Sequence, residues 1–190
     1  MSSQRLAIAW IAAAGLAACD LPGTVPTNVA LVVNGSSVPS SRYDHIIEMT
    51  RRGFEARGIP FDANSASGVA RLKDIRKLAI RGLVHEAVIN SIAQQKKIEV
   101  GDQELQQAVD EVAQALGGQQ ALQQRLDQSG QSDQDFRDQL RLARLQTKLR
   151  NADQAYESHL NDAVKSATVT AYLPPCDQDH QYPRCIGGTP

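Results

Sequence analysis

A mostly α domain closed by a short two-stranded antiparallel ribbon is the fold this sequence predicts, and three observations predict it. Apolar residues recur at helical spacing over most of the stretch between residues 40 and 164. Short β-branched runs stand at its two ends, over residues 29–33 and 167–173. A lone short strand leaves its backbone groups unpaired, so the two runs are expected to pair and bring the ends of the domain together under the helices.

The elements follow in order. Asn28 to Gly35 carries the first β-branched run and ends in Asn-Gly, a turn signal. After Val38-Pro39, either Ser40 or Ser41 is placed to cap a helix, Ser41 with Asp44 three residues on. Tyr43, Ile46, Ile47 and Phe54 then share one face. Gly58 to Gly68 reads as a loop of Pro, Asn and Ser. Val69 to about Lys97 predicts a helix roughly 40 Å long, with Leu72, Ile75, Ala79, Leu83, Val84, Val88, Ile89 and Ile92 forming a broad apolar stripe.

Gly101-Asp102 opens the next helix, with Leu105, Ala108, Val109, Val112 and Leu116 in register, and Gly117-Gly118 stops it. Gln119 to Gln128 predicts a short helix carrying Leu122 and Leu126. Ser132, with Asp135 three residues on, caps another that presents Phe136, Leu140, Ala143 and Leu145 to Leu149. Asp153 to Val164 reads as the last helix. Ala167 to Leu173 alternates as a strand until Pro174-Pro175 ends it.

Charge is nearly balanced, with 20 basic and 21 acidic residues. No basic block points to nucleic acid and no acidic tail to a cation buffer. Once residues 1–18 are set aside, about 170 remain, enough for one domain with its own core.

Residues 1–18 have the layout of an export signal: one positive charge by Arg5, an apolar run of about 11 residues from Leu6, then small residues. The run is too short for a bilayer that needs roughly 20. Leu16-Ala17-Ala18-Cys19 resembles the lipobox of bacterial lipoproteins, in which the cysteine is acylated and becomes the mature N-terminus. That resemblance implies a palmitate-type lipid anchor on Cys19, holding the protein to a membrane without spanning it. Residues 19–27, rich in Pro, Gly and Thr, read as a tether reaching roughly 30 Å. Asp20 resembles the enterobacterial inner-membrane retention signal, which implies the outer face of the cytoplasmic membrane. In such an exported compartment Cys176 and Cys185 are expected to form a disulfide closing residues 174–190, worth roughly 2–3 kcal/mol. The rival reading adds His180 as a third metal ligand. It lacks a fourth ligand nearby in sequence and makes a poor zinc site.

The stretches Val29-Ala-Leu-Val-Val-Asn-Gly35 and Val38-Pro-Ser-Ser-Arg-Tyr43 resemble the opening of the SurA N-terminal domain. Leu83 to Leu105 is similar to that family's central segment, and Leu122 to Leu149, with Phe136-Arg137 and Leu140, to its last large helix. Tyr156 to Leu173 is similar to the returning helix and strand, so the resemblance covers most of residues 28–173. It implies an extracytoplasmic chaperone that holds unfolded or extended polypeptides. Relatives often carry parvulin-type prolyl isomerase domains before the returning segment. Here Arg150 runs through Asn151-Ala-Asp-Gln straight into the closing helix, so no isomerase domain, catalytic residue or cofactor is expected.

Other chemistry finds little footing. No metalloprotease, nucleophile-elbow, phosphate-loop or dinucleotide motif occurs. His85-Glu86 lacks a second His four residues on, so no metal site is expected. Asp44 and His45 stand beside Ser40 and Ser41, but adjacent helix residues do not face each other. Phe54, Ile59 and Phe61 are large apolar residues in or beside a loop. Exposed, they are candidates for client contact; the competing reading tucks them onto the core. The sequence thus predicts a lipid-anchored polypeptide-binding protein without turnover, and, as the alternative, an envelope docking module for one fixed partner.

Overall fold

Asn34 and Gly35 both adopt positive φ, +50° and +83°, the two-residue turn whose twist suits a hairpin. The turn joins β1 (Val29–Val33) to β2 (Ser36–Pro39). This computed structural model describes residues 28–59, 61–62 and 65–172.

The expected pairing of the first and last runs is present: β1 is antiparallel to β3 (Val169–Ala171), with Val32 opposite Thr170. The sheet has a third strand, however, in the order β2-β1-β3. Ser36–Pro39 escaped the sequence reading because only Val38 of the four is buried, which leaves no apolar alternation to see.

Helix α1 (Ser40–Glu55) begins directly at the end of β2, with Pro39 at its N-cap and no side-chain cap. The predicted Ser40 or Ser41 cap is therefore corrected. The chain turns into helix straight from an extended proline at φ −64° and ψ 145°, and both serines lie inside the first turn. Helix α2 (Ala66–Lys96) starts three residues earlier than its apolar pattern, because Ser65 caps it by accepting the Gly68 N–H at 3.0 Å. At 1.5 Å per residue α2 is about 46 Å long. Helices α3 (Asp102–Leu116), α4 (Gln119–Ser129), α5 (Asp133–Ala152) and α6 (Tyr156–Ser166) follow. The Ser132–Asp135 capping box of α5 forms as predicted. The last helix begins at Tyr156 rather than Asp153. Asp153 instead ends α5 in an extended conformation, and its carboxylate accepts the Ala155 N–H.

Two apolar cores result. The larger gathers Leu31 and Val33 of the sheet, Leu83, Val84, Val88 and Ile89 of α2, Leu145 and Leu149 of α5, and Tyr156 and Leu160 of α6. The smaller holds Val109, Ala113, Leu122 and Leu126, with Phe136 and Leu140 packed against it. Helix α5 serves both: its first half covers the smaller core and its second half enters the larger. Leu116, placed by its spacing on the apolar face, is 45% exposed at the end of α3. Ala143 is also exposed.

Candidate functional site

An open groove runs along α2 over the larger core. One part, about 560 Å³, has a floor of Ala93, Ile98, Val100, Leu142 and Leu145. A second part, about 330 Å³, lies against β2 and reaches Val38, Leu83 and Ala87. Arg42, Glu86, Asn90 and Gln94 line both parts, and the last three stand in a row along α2 at the border between them. Among the described residues no aromatic side chain lines either part.

Arg42, from the first turn of α1, holds the junction. Its guanidinium lies 3.4 Å from Glu86 on α2 and 3.6 Å from Asp138 on α5. All three side chains are about a third exposed, so each pair contributes little stability, about 0.2–1 kcal/mol. What they supply is position, fixing three helices around one end of the groove. At the other end Lys148 reaches the Glu99 carbonyl and the Glu104 carboxylate, both at 2.7 Å, and ties α5 to the start of α3.

His45 lies one turn beyond Arg42 and is hydrogen-bonded to Asp135 across the gap between α1 and α5. Asp135 is a buried acid. Burial is the largest influence on it and opposes ionisation, yet hydrogen bonds from Ser132 and His45 together hold its carboxyl below the usual range. Ser132 Oγ donates to Asp135 at 2.5 Å rather than to His45. The serine is a helix cap, not a nucleophile beside a base.

The predicted contact residues gather elsewhere. Phe54, Ile59 and Phe61 are half-buried at the far end of α1, about 18 Å along the helix from Arg42. The rings of Phe54 and Phe61 stack with centroids 6.4 Å apart, and the Arg57 and Arg71 guanidinium groups lie over Phe54 at 4.9 and 5.2 Å. His85 is half-buried on α2. Among the described residues no cluster of three His, Cys, Asp or Glu is arranged to hold a metal, and no helix is long and apolar enough to cross a membrane. Cys19, Cys176 and Cys185 lie outside the described residues.

The groove residues themselves went unseen in the sequence. Their signal was available: Glu86, Asn90 and Gln94 form a polar line at four-residue spacing along the border of a broad apolar stripe. Which neighbours stand across that border depends on how α5 and β2 fold back.

A family model described as the SurA-like N-terminal domain matches residues 6–150. No curated protein matches the chain. The match takes in every described element from β1 to all but the last two residues of α5; α6 and β3, which close the sheet and the larger core, lie past its end. With the match covering well over half of the sequence and the fold helical around a small antiparallel sheet, the chain belongs to the SurA-like N-terminal domain family, and so is related to a family of chaperones.

Proposed function

We propose that this protein is a lipid-anchored, extracytoplasmic chaperone-like protein that holds unfolded or extended polypeptides without turning them over. The observation that carries the reading is the open groove along α2, whose aliphatic floor and polar rim suit a chain with its side chains partly buried and its backbone wet. Family membership supports the location and the client class, since SurA-like domains are typically extracytoplasmic. In this proposal Cys19 carries the lipid, and Cys176 and Cys185 close a disulfide.

Binding without catalysis rests on the joint between α5 and α6. Relatives that carry a parvulin-type domain place it before the returning segment. Here three residues, 153–155, lead from Ala152 to Tyr156. A proline-peptide turnover assay is expected to give only the uncatalysed rate.

The main test is breadth. The full chain should suppress aggregation of several unrelated denatured proteins at low stoichiometric excess. Protection of none, with capture of one partner from the envelope, would establish the docking-module alternative. Phe61→Ser tests the second candidate surface: unchanged suppression removes Phe54, Ile59 and Phe61 from the contact area. Mass spectrometry of natively purified protein checks the anchor, and an unmodified Cys19 would end that part of the proposal.

A further inference from the structure

The near balance of charge over the whole sequence hides a segregation. Residues 51–82 carry eight basic and three acidic side chains, whereas the remaining residues carry 12 basic and 18 acidic ones. Five of the eight cations fall between Arg71 and Arg81 on α2, with Asp74 the one acid among them.

Helix geometry puts three of the five in a row. Lys73, Lys77 and Arg81 stand four residues apart, so they form a line about 12 Å long. At about 100° per residue, Lys77 lies nearly opposite Ile75 and Ala79 on the helix, and those two are buried. Lys73 and Arg81 are exposed. Farther along α2 the same face carries Val84 and Val88, which are buried in the larger core. Among the described residues, none of α2 before Ala79 belongs to either core. The start of α2 therefore runs past the body of the fold, braced by α1 where Arg71 covers Phe54, with the basic row on its outer side.

Exposed aliphatic side chains accompany the row. Of the three large apolar side chains that are exposed among the described residues, two are Val69 and Leu78. They flank the line of cations at about 80–100° to either side. An anionic lipid surface attracts this combination, because its headgroups draw in Lys and Arg and its acyl boundary accepts aliphatic side chains. Some of these cations also contact neighbouring groups. The attraction belongs to the net field of the face rather than to any one side chain.

We propose that the face of α2 carrying Lys73, Lys77 and Arg81 docks on an anionic phospholipid membrane. The inference rests on the membrane-bound location proposed above and names the face that meets the lipid. The nine residues before Asn28 span at most roughly 30 Å. Lys77 lies about 14 Å along α2 from Glu86, which meets Arg42 at the start of α1. A chain fixed at Cys19 can therefore lay this face on the same membrane. Like-charge repulsion of the acidic remainder disfavours the other faces.

The test measures co-sedimentation of the full chain with two kinds of vesicle, phosphatidylcholine alone and phosphatidylcholine mixed equally with phosphatidylglycerol. The apolar N-terminal run is common to both measurements, so preference for the anionic vesicles isolates the charge. That preference should be on the order of 100-fold in dilute salt and should shrink as salt is raised. Lys73→Gln/Lys77→Gln/Arg81→Gln should lose most of it. Lys97→Gln/Arg144→Gln/Lys165→Gln removes equal charge elsewhere and should keep it. Glutamine is a good helix former, so both variants should unfold near the wild-type temperature. Lys77→Glu alone, which alters a single side chain, guards against a folding defect and should lower the preference about tenfold or more.

Equal preference in the two triple variants would overturn the proposal, and so would a wild type that binds both vesicles alike. Binding of poly-glutamate through the row, with no preference among vesicles, would assign the face to acidic polypeptides and refute the membrane. An unmodified Cys19 with the vesicle preference intact would remove the anchor and uphold this surface.

Discussion

Asn34 and Thr168 hold one another through two hydrogen bonds of 2.9 Å each: the Asn34 N–H donates to the Thr168 carbonyl, and the Thr168 N–H donates to the Asn34 side-chain oxygen. One turn residue therefore shapes the first hairpin and fastens the returning chain to it. This contact, 134 residues apart in sequence, closes the fold.

Asn34→Ala removes the side-chain acceptor and forces an alanine to φ +50°. A loss of about 2 kcal/mol is expected in urea unfolding. Asn34→Gly keeps the backbone relaxed and should lose no more than about half of that. Equal effects of the two would show that the hydrogen bond, not the turn, dominates.

Leu149 and Leu116 both lie on helical faces that read as apolar, but Leu149 is 0% exposed in the larger core and Leu116 is 45% exposed. Leu149→Ala should destabilise by about 2–5 kcal/mol. Leu116→Ala should stay within about 0.5 kcal/mol of wild type. Thermal denaturation of the two variants checks the contrast.

Glycines on α2 should behave oppositely. A Cβ on Gly68 would stand 1.7 Å from the Asp62 carbonyl oxygen, whereas one on Gly82 meets nothing within 4 Å. Gly68→Ala must displace the loop before α2 and should cost about 1–3 kcal/mol. Gly82→Ala should stabilise by about 0.5–1 kcal/mol through helix propensity. Chemical denaturation measures both, and a neutral Gly68→Ala would refute the close approach.

Acid stability tests the clasp at the end of α5. The hydrogen bond with His159 is the main cause that lowers the Asp153 carboxyl from 3.8 to about 2, with burial opposing and Lys96 adding at 3.2 Å. A carboxyl lowered in the folded state releases its proton more readily there than in the unfolded chain. Its contribution is complete above about pH 5 and is lost as pH falls through 4 toward 2. Unfolding free energies measured from pH 6 to pH 2 should fall less steeply below pH 4 for Asp153→Asn than for wild type. Parallel curves would show that the contact does not persist in solution.

Local chemistry made much of this architecture legible. Helical periodicity placed the six helices of the described residues, since a side chain's face is decided by spacing alone. The Ser132–Asp135 box and the Asn-Gly turn were readable because each is a bond between near neighbours. The pairing of the first and last strands followed from the need to satisfy backbone groups. Ser36–Pro39 was not readable as a strand, because its partner supplies the order that its own composition lacks. Tertiary folding alone decided that α5 would span two cores, that His45 would meet Asp135 90 residues away, and that Arg42, Glu86 and Asp138 would converge. These contacts join polar side chains on different helices, and no period within one helix says which polar residue faces a neighbour and which faces water. The groove belongs to that second class: its polar line is written in α2, but its other walls come from β2, α5 and the chain between α2 and α3.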